Sequence, residues 1–264
     1  MKRGKATSRA LAGSWGLAPA CPRARCDQVQ VWRARLDVPA YRVRELAQLL
    51  SLDEARRAER LFFDVDRQRF IVARGLLRTI LGRYLRAPPA ELRFVYGPYG
   101  KPELTLEFAD GRLHFSVAHS HRLALYAVAY DRQVGIDLEY MLPRLVSKAV
   151  AEHFFSPVEV ERLGALPEKE QREAFLCCWT RKEAYIKARG EGVSLPLDCF
   201  EVSPVPNENP VRLRTHGDPA EATRWCLRGL APGAGYAAAV AAEGSGWRLQ
   251  RWLWSPVRRR ATRR

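Results

Sequence analysis

The sequence predicts an α+β protein built as two halves of similar plan that meet near residue 133. Three observations carry this. Runs with the period of a strand come in groups, not one at a time between helices. The order of elements is strand, helices, strands, then helices and strands again. A helix-start signature, serine followed three residues later by glutamate, occurs in each half, at Ser51–Glu54 and Ser156–Glu159.

The elements follow in order. From Gln28 to Val38, Val29, Val31, Ala34 and Leu36 alternate with polar neighbours and mark a first strand. In Ser51-Leu52-Asp53-Glu54 the serine oxygen can accept the N3 amide while the glutamate reaches back, so a helix follows to about Phe63. A longer helix spans about Asp66 to Leu85 and stops at Pro88-Pro89. From Leu92 to Tyr140 the pattern is β, with strands expected at 92–96, 103–108, 112–118, 123–130 and 133–140. Turns fall at Gly97-Pro98-Tyr99-Gly100 and Ala109-Asp110-Gly111. Helix returns after Pro143; Pro157 at the first helical position costs no hydrogen bond. A long helix from about Glu168 to Ala188 ends at Gly190, and strands are expected at 198–203, 211–214, 224–229, 236–242 and 247–254.

Composition excludes several classes. With 47% hydrophobic and 28% charged residues, the chain has the make-up of a soluble globular protein. No apolar run approaches the roughly 20 residues that span a bilayer. The N-terminal stretch is a poor signal peptide, interrupted by Gly13, Ser14, Trp15, Gly16 and Pro19. Six cysteines at irregular spacing, with no CxxC pair, read as the reduced thiols of a cytoplasmic protein. The five histidines lack the cysteine partners of a zinc site.

The net charge of +15 invites a nucleic-acid reading, but its distribution argues against one. Lys2, Arg3, Lys5, Arg9, Arg23 and Arg25 give residues 1–26 a charge of +6, and Arg258, Arg259, Arg260, Arg263 and Arg264 give 257–264 a charge of +5. Only +4 remains on the body. The expected organisation is a basic, disordered extension over 1–26, an N-terminal half over 27–133, a C-terminal half over 134–256 and a basic tail over 257–264.

Four motifs concentrate chemistry. In Val134-Gly135-Ile136-Asp137-Leu138-Glu139, alternate residues of a strand share a face, so Asp137 and Glu139 project together, roughly 7 Å apart. Such a pair can close on one hard cation, and it also suits the wet face of an ordinary strand. In Trp179-Thr180-Arg181-Lys182-Glu183-Ala184-Tyr185-Ile186-Lys187, helical spacing puts Phe175, Trp179, Glu183 and Lys187 on one stripe, neither cleanly apolar nor cleanly solvated. It fits a site edge, with carboxylate toward a metal and ammonium toward a phosphate, or a surface ion pair beside core aromatics. His119, in Phe115-Ser116-Val117-Ala118-His119-Ser120, stands at a strand end where it can donate to a phosphate oxygen. Lys101, between Gly100 and Pro102, is stiffly presented in a turn.

The order of these four motifs, with the arginine-rich run Asp66–Arg78 and Phe154-Phe155-Ser156-Pro157-Val158-Glu159, resembles the Sfp-type 4'-phosphopantetheinyl transferases from about residue 28 to 204. It departs from their usual pattern at Ser116 and Ala118. The resemblance implies a pseudo-dimer of two α+β halves with coenzyme A in the cleft between them. It implies transfer of the 4'-phosphopantetheine arm to a serine of an acyl or peptidyl carrier protein, with release of 3',5'-ADP and dependence on Mg2+. Asp137, Glu139 and Glu183 match the carboxylates that hold Mg2+, and Glu183 is also the candidate general base. Lys101, His119 and Lys187 match residues that bind the coenzyme's phosphates. Arg69 or Arg74, with Arg69 favoured, matches an arginine that contacts coenzyme A. The partners expected are the carrier protein and coenzyme A, with no nucleic acid and no membrane, acting on a monomer in fatty-acid, polyketide or nonribosomal-peptide biosynthesis. A metal-dependent phosphohydrolase using the same carboxylates, and a basic nucleic-acid-binding protein, are the alternatives.

Overall fold

The computed structural model describes residues 14–109, 111–141, 148–206 and 208–255. The chain runs β1 (Gly16–Leu17), β2 (Gln28–Arg35), α1 (Ala40–Ala47), α2 (Leu52–Glu59), α3 (Asp64–Leu85), β3 (Phe94–Tyr96), β4 (Pro102–Leu104), α4 (Leu106–Ala109), β5 (Leu113–Ser120) and β6 (Leu123–Tyr130). It continues through β7 (Val134–Tyr140), α5 (Lys148–Phe154), α6 (Pro157–Gly164), α7 (Glu168–Arg189), β8 (Phe200–Val202), β9 (Leu213–Thr215), α8 (Pro219–Thr223), β10 (Trp225–Leu230), β11 (Tyr236–Glu243) and β12 (Arg248–Leu253). None of the helices described is long and apolar enough to cross a membrane.

The plan occurs twice. A strand, two short helices, a 22-residue helix, a two-stranded ribbon, a short helix and a hairpin succeed one another from β2 to β6 and again from β7 to β11. The strands pair in the same order, β2-β6-β5 and β7-β11-β10; β12 and β1 extend the first sheet in parallel beyond β2.

Strand alternation explains the layers. Even-numbered Trp32, Ala34 and Leu36 face α3 and pack with Leu76, Leu77 and Ile80. Odd-numbered Val29 and Val31 turn the other way and meet Ile136, Leu138, Ala238 and Val240 in a core between the two sheets. Ala237, Ala239 and Ala241 face α7 and pack with Ala184 and Tyr185. The result is helix, sheet, sheet, helix.

Each helix-start glutamate has a second duty. The Ser51 amide donates to Glu54 Oε2 at 3.1 Å, while the buried Glu54 carboxylate also pairs with Arg78 (Nε–Oε2 2.6 Å) and Arg74 (Nη2–Oε1 2.6 Å). In the second half the Ser156 amide donates to Glu159 Oε2 at 2.9 Å, and Glu159 pairs with Lys182 at 2.7 Å, both side chains fully buried. Val202 N and the Cys178 thiol donate to the other Glu159 oxygen, and Lys182 donates to Leu197 O at 2.6 Å. Arg78 and Lys182 occupy the same position in their 22-residue helices. A buried charge is tolerated only when paired and hydrogen-bonded in this way.

Three expectations differ from the structure. Residues 14–26, expected to be disordered, are placed: β1 pairs with Trp252 and Leu253, and Trp15 Nε1 donates to Ala231 O at 3.1 Å. A strand of two residues just before Pro19 carries no period, which hid this edge strand. Residues 1–13 and the 257–264 tail lie outside the described residues. Helix α1 was not anticipated, because it is only eight residues long, lacks a capping side chain and holds one buried side chain, Leu46. The strand expected over 103–108 stops at Leu104, and Leu106–Ala109 is helical, since six residues of mixed polarity do not separate a strand from a helical turn.

Lys182→Met leaves the Glu159 carboxylate buried without its cation. Urea denaturation should show a loss of about 3–5 kcal/mol, the cost of breaking a buried pair from one side. The exposed pair Lys148–Glu152 (3.4 Å) should give less than about 1 kcal/mol in the matching Lys148→Met variant.

Candidate active site

The site forms where β5, β7 and α7 converge. Gly135 sets how closely they do so. A Cβ there would lie 2.1 Å from Ala184 O and 2.2 Å from Ala188 N, so the backbones of β7 and α7 are in direct contact. A glycine inside a strand marks this kind of approach. Asp137 and Glu139 share Gly135's face and point toward α7.

Hydroxyls join β7 to β5. Ser116 Oγ accepts from Ile136 N at 3.1 Å and Ser120 Oγ from Tyr140 N at 3.0 Å. Ser120 Oγ also donates to Glu139 Oε2 at 3.0 Å, fixing that carboxylate. Across the seam, Lys187 Nζ donates to Asp137 Oδ1 at 2.6 Å. Asp137 is only 4% exposed, and its other oxygen, Oδ2, is buried without a partner.

The charged groups sense one another. Burial, and then the charge of Asp137, raises the Glu183 carboxyl above its ordinary value, with partial relief from Lys187. Glu139 is raised by the same two causes in the same order, with relief from Ser120 and Lys187. Burial pulls Lys187 down, but Asp137, Glu183 and Glu139 outweigh it and leave the ammonium above the usual lysine range. His119, at the open end of β5, is lowered by desolvation and then by Lys187, Arg57 and Arg74. A cavity of about 570 Å³ opens beside this cluster, lined among others by Tyr99, Lys101, Phe115, Phe154, Glu183 and Lys187.

Asp137, Glu139, Glu183, Lys187 and His119 therefore belong to one electrostatic neighbourhood. Three other side chains expected at coenzyme A have partners within the protein. Arg74 is committed to Glu54 and to Tyr96 Oη (2.9 Å), because a buried carboxylate outcompetes an open cleft for a guanidinium. Arg69 donates to Asp37 Oδ1 at 2.9 Å. Lys101 lines the cavity, and its ammonium donates to Gln133 Oε1 (3.0 Å) and Ala188 O (3.2 Å). Ser120, Gly135 and Arg57 did not stand out in the sequence. Ser116 and Ser120, four apart on one strand face, and a glycine within a β-branched run were the available signals.

Among the described residues no three His, Cys, Asp or Glu side chains are already drawn together as a metal site. The donor set still suits a hard divalent cation: oxygen only, with one buried carboxylate oxygen unpartnered and two carboxyls raised by burial and a neighbouring charge.

A repeated α+β fold sets paired acids on a strand against a Glu-x-x-x-Lys helix beside a cavity, a set of charged groups suited to a hard cation and an anionic ligand. The comparisons give the family. Residues 133–241 match the 4'-phosphopantetheinyl transferase superfamily. The chain is 43% identical over 226 residues to the 4'-phosphopantetheinyl transferase HetI of Nostoc sp., covering 86% of this chain and 92% of that protein. It is 36% identical to a putative 4'-phosphopantetheinyl transferase of Synechocystis sp., over 76% of this chain and 78% of that one. It is 34% identical to the 4'-phosphopantetheinyl transferase Sfp of Bacillus subtilis, over 58% and 66%. Among solved structures, the holo-[acyl-carrier-protein] synthase of Thermotoga maritima aligns with a TM-score of 0.34 at 20% identity, over 43% of this chain and 63% of that one. The chain belongs to the 4'-phosphopantetheinyl transferase family.

Ser120→Ala removes the hydroxyl that holds Glu139. Turnover should fall by about 10- to 100-fold, the usual scale of loss when a group that orients a site carboxylate is removed. Steady-state kinetics with thermal melting should show this with little change in Tm.

Proposed function

We propose that the chain transfers the 4'-phosphopantetheine arm of coenzyme A to a serine of an acyl or peptidyl carrier protein and releases 3',5'-ADP, at the cleft between the halves 27–133 and 134–256. One observation carries this reading most directly. Asp137, Glu139, Glu183 and Lys187 form one interacting cluster at the edge of a cavity, in a chain of this family.

The reaction joins the serine oxygen to the phosphorus that bears the pantetheine arm and breaks that phosphorus's bond to the bridging oxygen of the diphosphate. The carrier supplies the nucleophile, so the enzyme supplies a base and donors. Glu183 takes the serine proton. Lys187 and His119 offer N–H groups to the phosphate oxygens, and the tight link of Lys187 to Asp137 keeps its ammonium in place. Asp137, Glu139 and Glu183 are the residues that would hold Mg2+. When bound, the ion offsets charge on the diphosphate and on the departing nucleotide. Chelation should therefore abolish transfer. Six free cysteines agree with a reducing, cytoplasmic setting, and one chain supplies both halves, so a monomer suffices.

The test is intact-mass analysis of a carrier protein incubated with enzyme, coenzyme A and Mg2+. The expected result is a gain of one phosphopantetheine on the carrier serine. Release of phosphopantetheine without a carrier would instead favour a phosphohydrolase.

Glu183→Gln tests both roles of this carboxylate. The kcat should fall by about 10²–10⁴-fold, as for a lost general base. The folded-state pKa of Glu183 is raised, so its contribution to stability is present below the unfolded glutamate pKa and lost as pH rises through the folded one. At pH 7 the ionised group therefore costs stability. Metal-free Glu183→Gln should melt higher than the unmodified protein at pH 7, with the difference closing toward pH 4. Mg2+ should raise the Tm of the unmodified protein and leave that of the variant nearly unchanged.

A further inference from the structure

We propose that Lys101 is a positioning residue: its ammonium bolts the C-terminal end of α7 to the first half, and it is not a phosphate ligand. The inference rests on the transferase reading above and concerns how Glu183 and Lys187 are held.

The bolt has three ends. The first is α7 itself. The last four carbonyls of a helix lack intrahelical partners, and a cation there is favoured by the helix dipole. Ala188 O, next to the last residue of α7, receives the Lys101 ammonium at 3.2 Å. The second end is the joint between β6 and β7. Gln133 Oε1 accepts from Lys101 at 3.0 Å, and the Gln133 carbonyl accepts from Glu243 N at 3.0 Å, which ties the joint to β11. The third is the turn that presents Lys101. Gly100 N donates to Gly97 O and Gly97 N to Lys101 O, both at 2.9 Å, and Pro102 follows.

This turn fits closely against the chain that leaves α7. Gly190 and Gly192 both have positive φ, of 77° and 55°. A Cβ on Gly192 would come within 2.7 Å of Tyr99 Cβ, and one on Gly190 would rest 3.5 Å from Lys101 Cδ. A side chain at Gly192 would push the turn away and lengthen the Lys101 bonds. The consequence for catalysis follows from sequence. Ala188 is the residue after Lys187 and little more than a turn beyond Glu183. A shift of the anchored carbonyl therefore moves the candidate base and a phosphate donor together. Burial also pulls the Lys101 ammonium down to about 8, opposed only by Glu103, as expected for a lysine set into a seam between elements.

The experiment uses Lys101→Met, Gln133→Leu and the double variant in the full chain. It measures kcat with coenzyme A and carrier saturating, the Kd of coenzyme A by calorimetry, and Tm. Each single variant is expected to lose about 10- to 100-fold in kcat, with the Kd of coenzyme A within about twofold. The double variant should be no slower than the slower single one, because both remove the same link. Gln133 is not among the residues that line the cavity, so a shared phenotype separates the bolt from a ligand. A tenfold or greater loss of coenzyme A affinity in Lys101→Met, with Gln133→Leu normal, would overturn the proposal, as would ordinary kcat in both. Should Lys101→Met fail to fold, Gln133→Leu alone carries the kcat and Kd test. If the unmodified chain transfers nothing, the functional reading fails, and the bolt is still tested by whether the Tm losses of the two substitutions are non-additive.

Discussion

The active site depends on the contact made by Gly135, a residue with no side chain. Because a Cβ would overlap Ala184 O and Ala188 N, α7 lies directly on the β7 backbone. An ordinary helix–sheet pair is held apart by a layer of side chains, which would carry Lys187 away from Asp137. Their 2.6 Å ion pair and the mutual influence of Asp137, Glu139 and Glu183 need the shorter separation. The surrounding structure maintains it: Ser120 holds Glu139 from β5, and Lys101 with the 97–101 turn holds the far end of α7.

Duplication supplies two helix–sheet seams, and only one carries acids. In the second half the seam has Gly135, Asp137 and Glu139. In the first, Trp32 packs against α3, donates to Tyr84 Oη at 2.8 Å, and Tyr84 donates to Gln30 Oε1 at 2.6 Å. A fully buried tryptophan fills that seam. The halves keep the same means of stability, a helix-capping glutamate neutralised by a cation from the 22-residue helix. They differ in what their strands present to that helix. The first half contributes the 97–101 turn and the end of β5, and the second contributes acids and lysine.

Much of this was legible from local pattern. The repeated serine–glutamate starts, the acids on alternate strand positions and the Glu183–Lys187 spacing all act over a few residues, where strand and helix periods are reliable. The direction of long cationic side chains was not legible. Arg74 is taken by Glu54, Arg69 by Asp37, and Lys101 by Gln133 and Ala188, partners 20, 32 and up to 87 residues away. A motif places such a residue beside the site, but the competition among distant acceptors decides where its charge goes. The edge strand β1 was missed for a related reason: its pairing with β12 joins residues more than 200 positions apart, and two residues hold no period.

The most direct test of this account is a structure of Gly135→Ala together with its turnover. The added methyl cannot fit at 2.1 Å from Ala184 O, so α7 should lift from β7, the Lys187–Asp137 pair should lengthen, and kcat should fall by about 100-fold or more, as for a misplacement near 1 Å. An α7 that keeps its position, with turnover close to that of the unmodified protein, would contradict the claim that this contact sets the site.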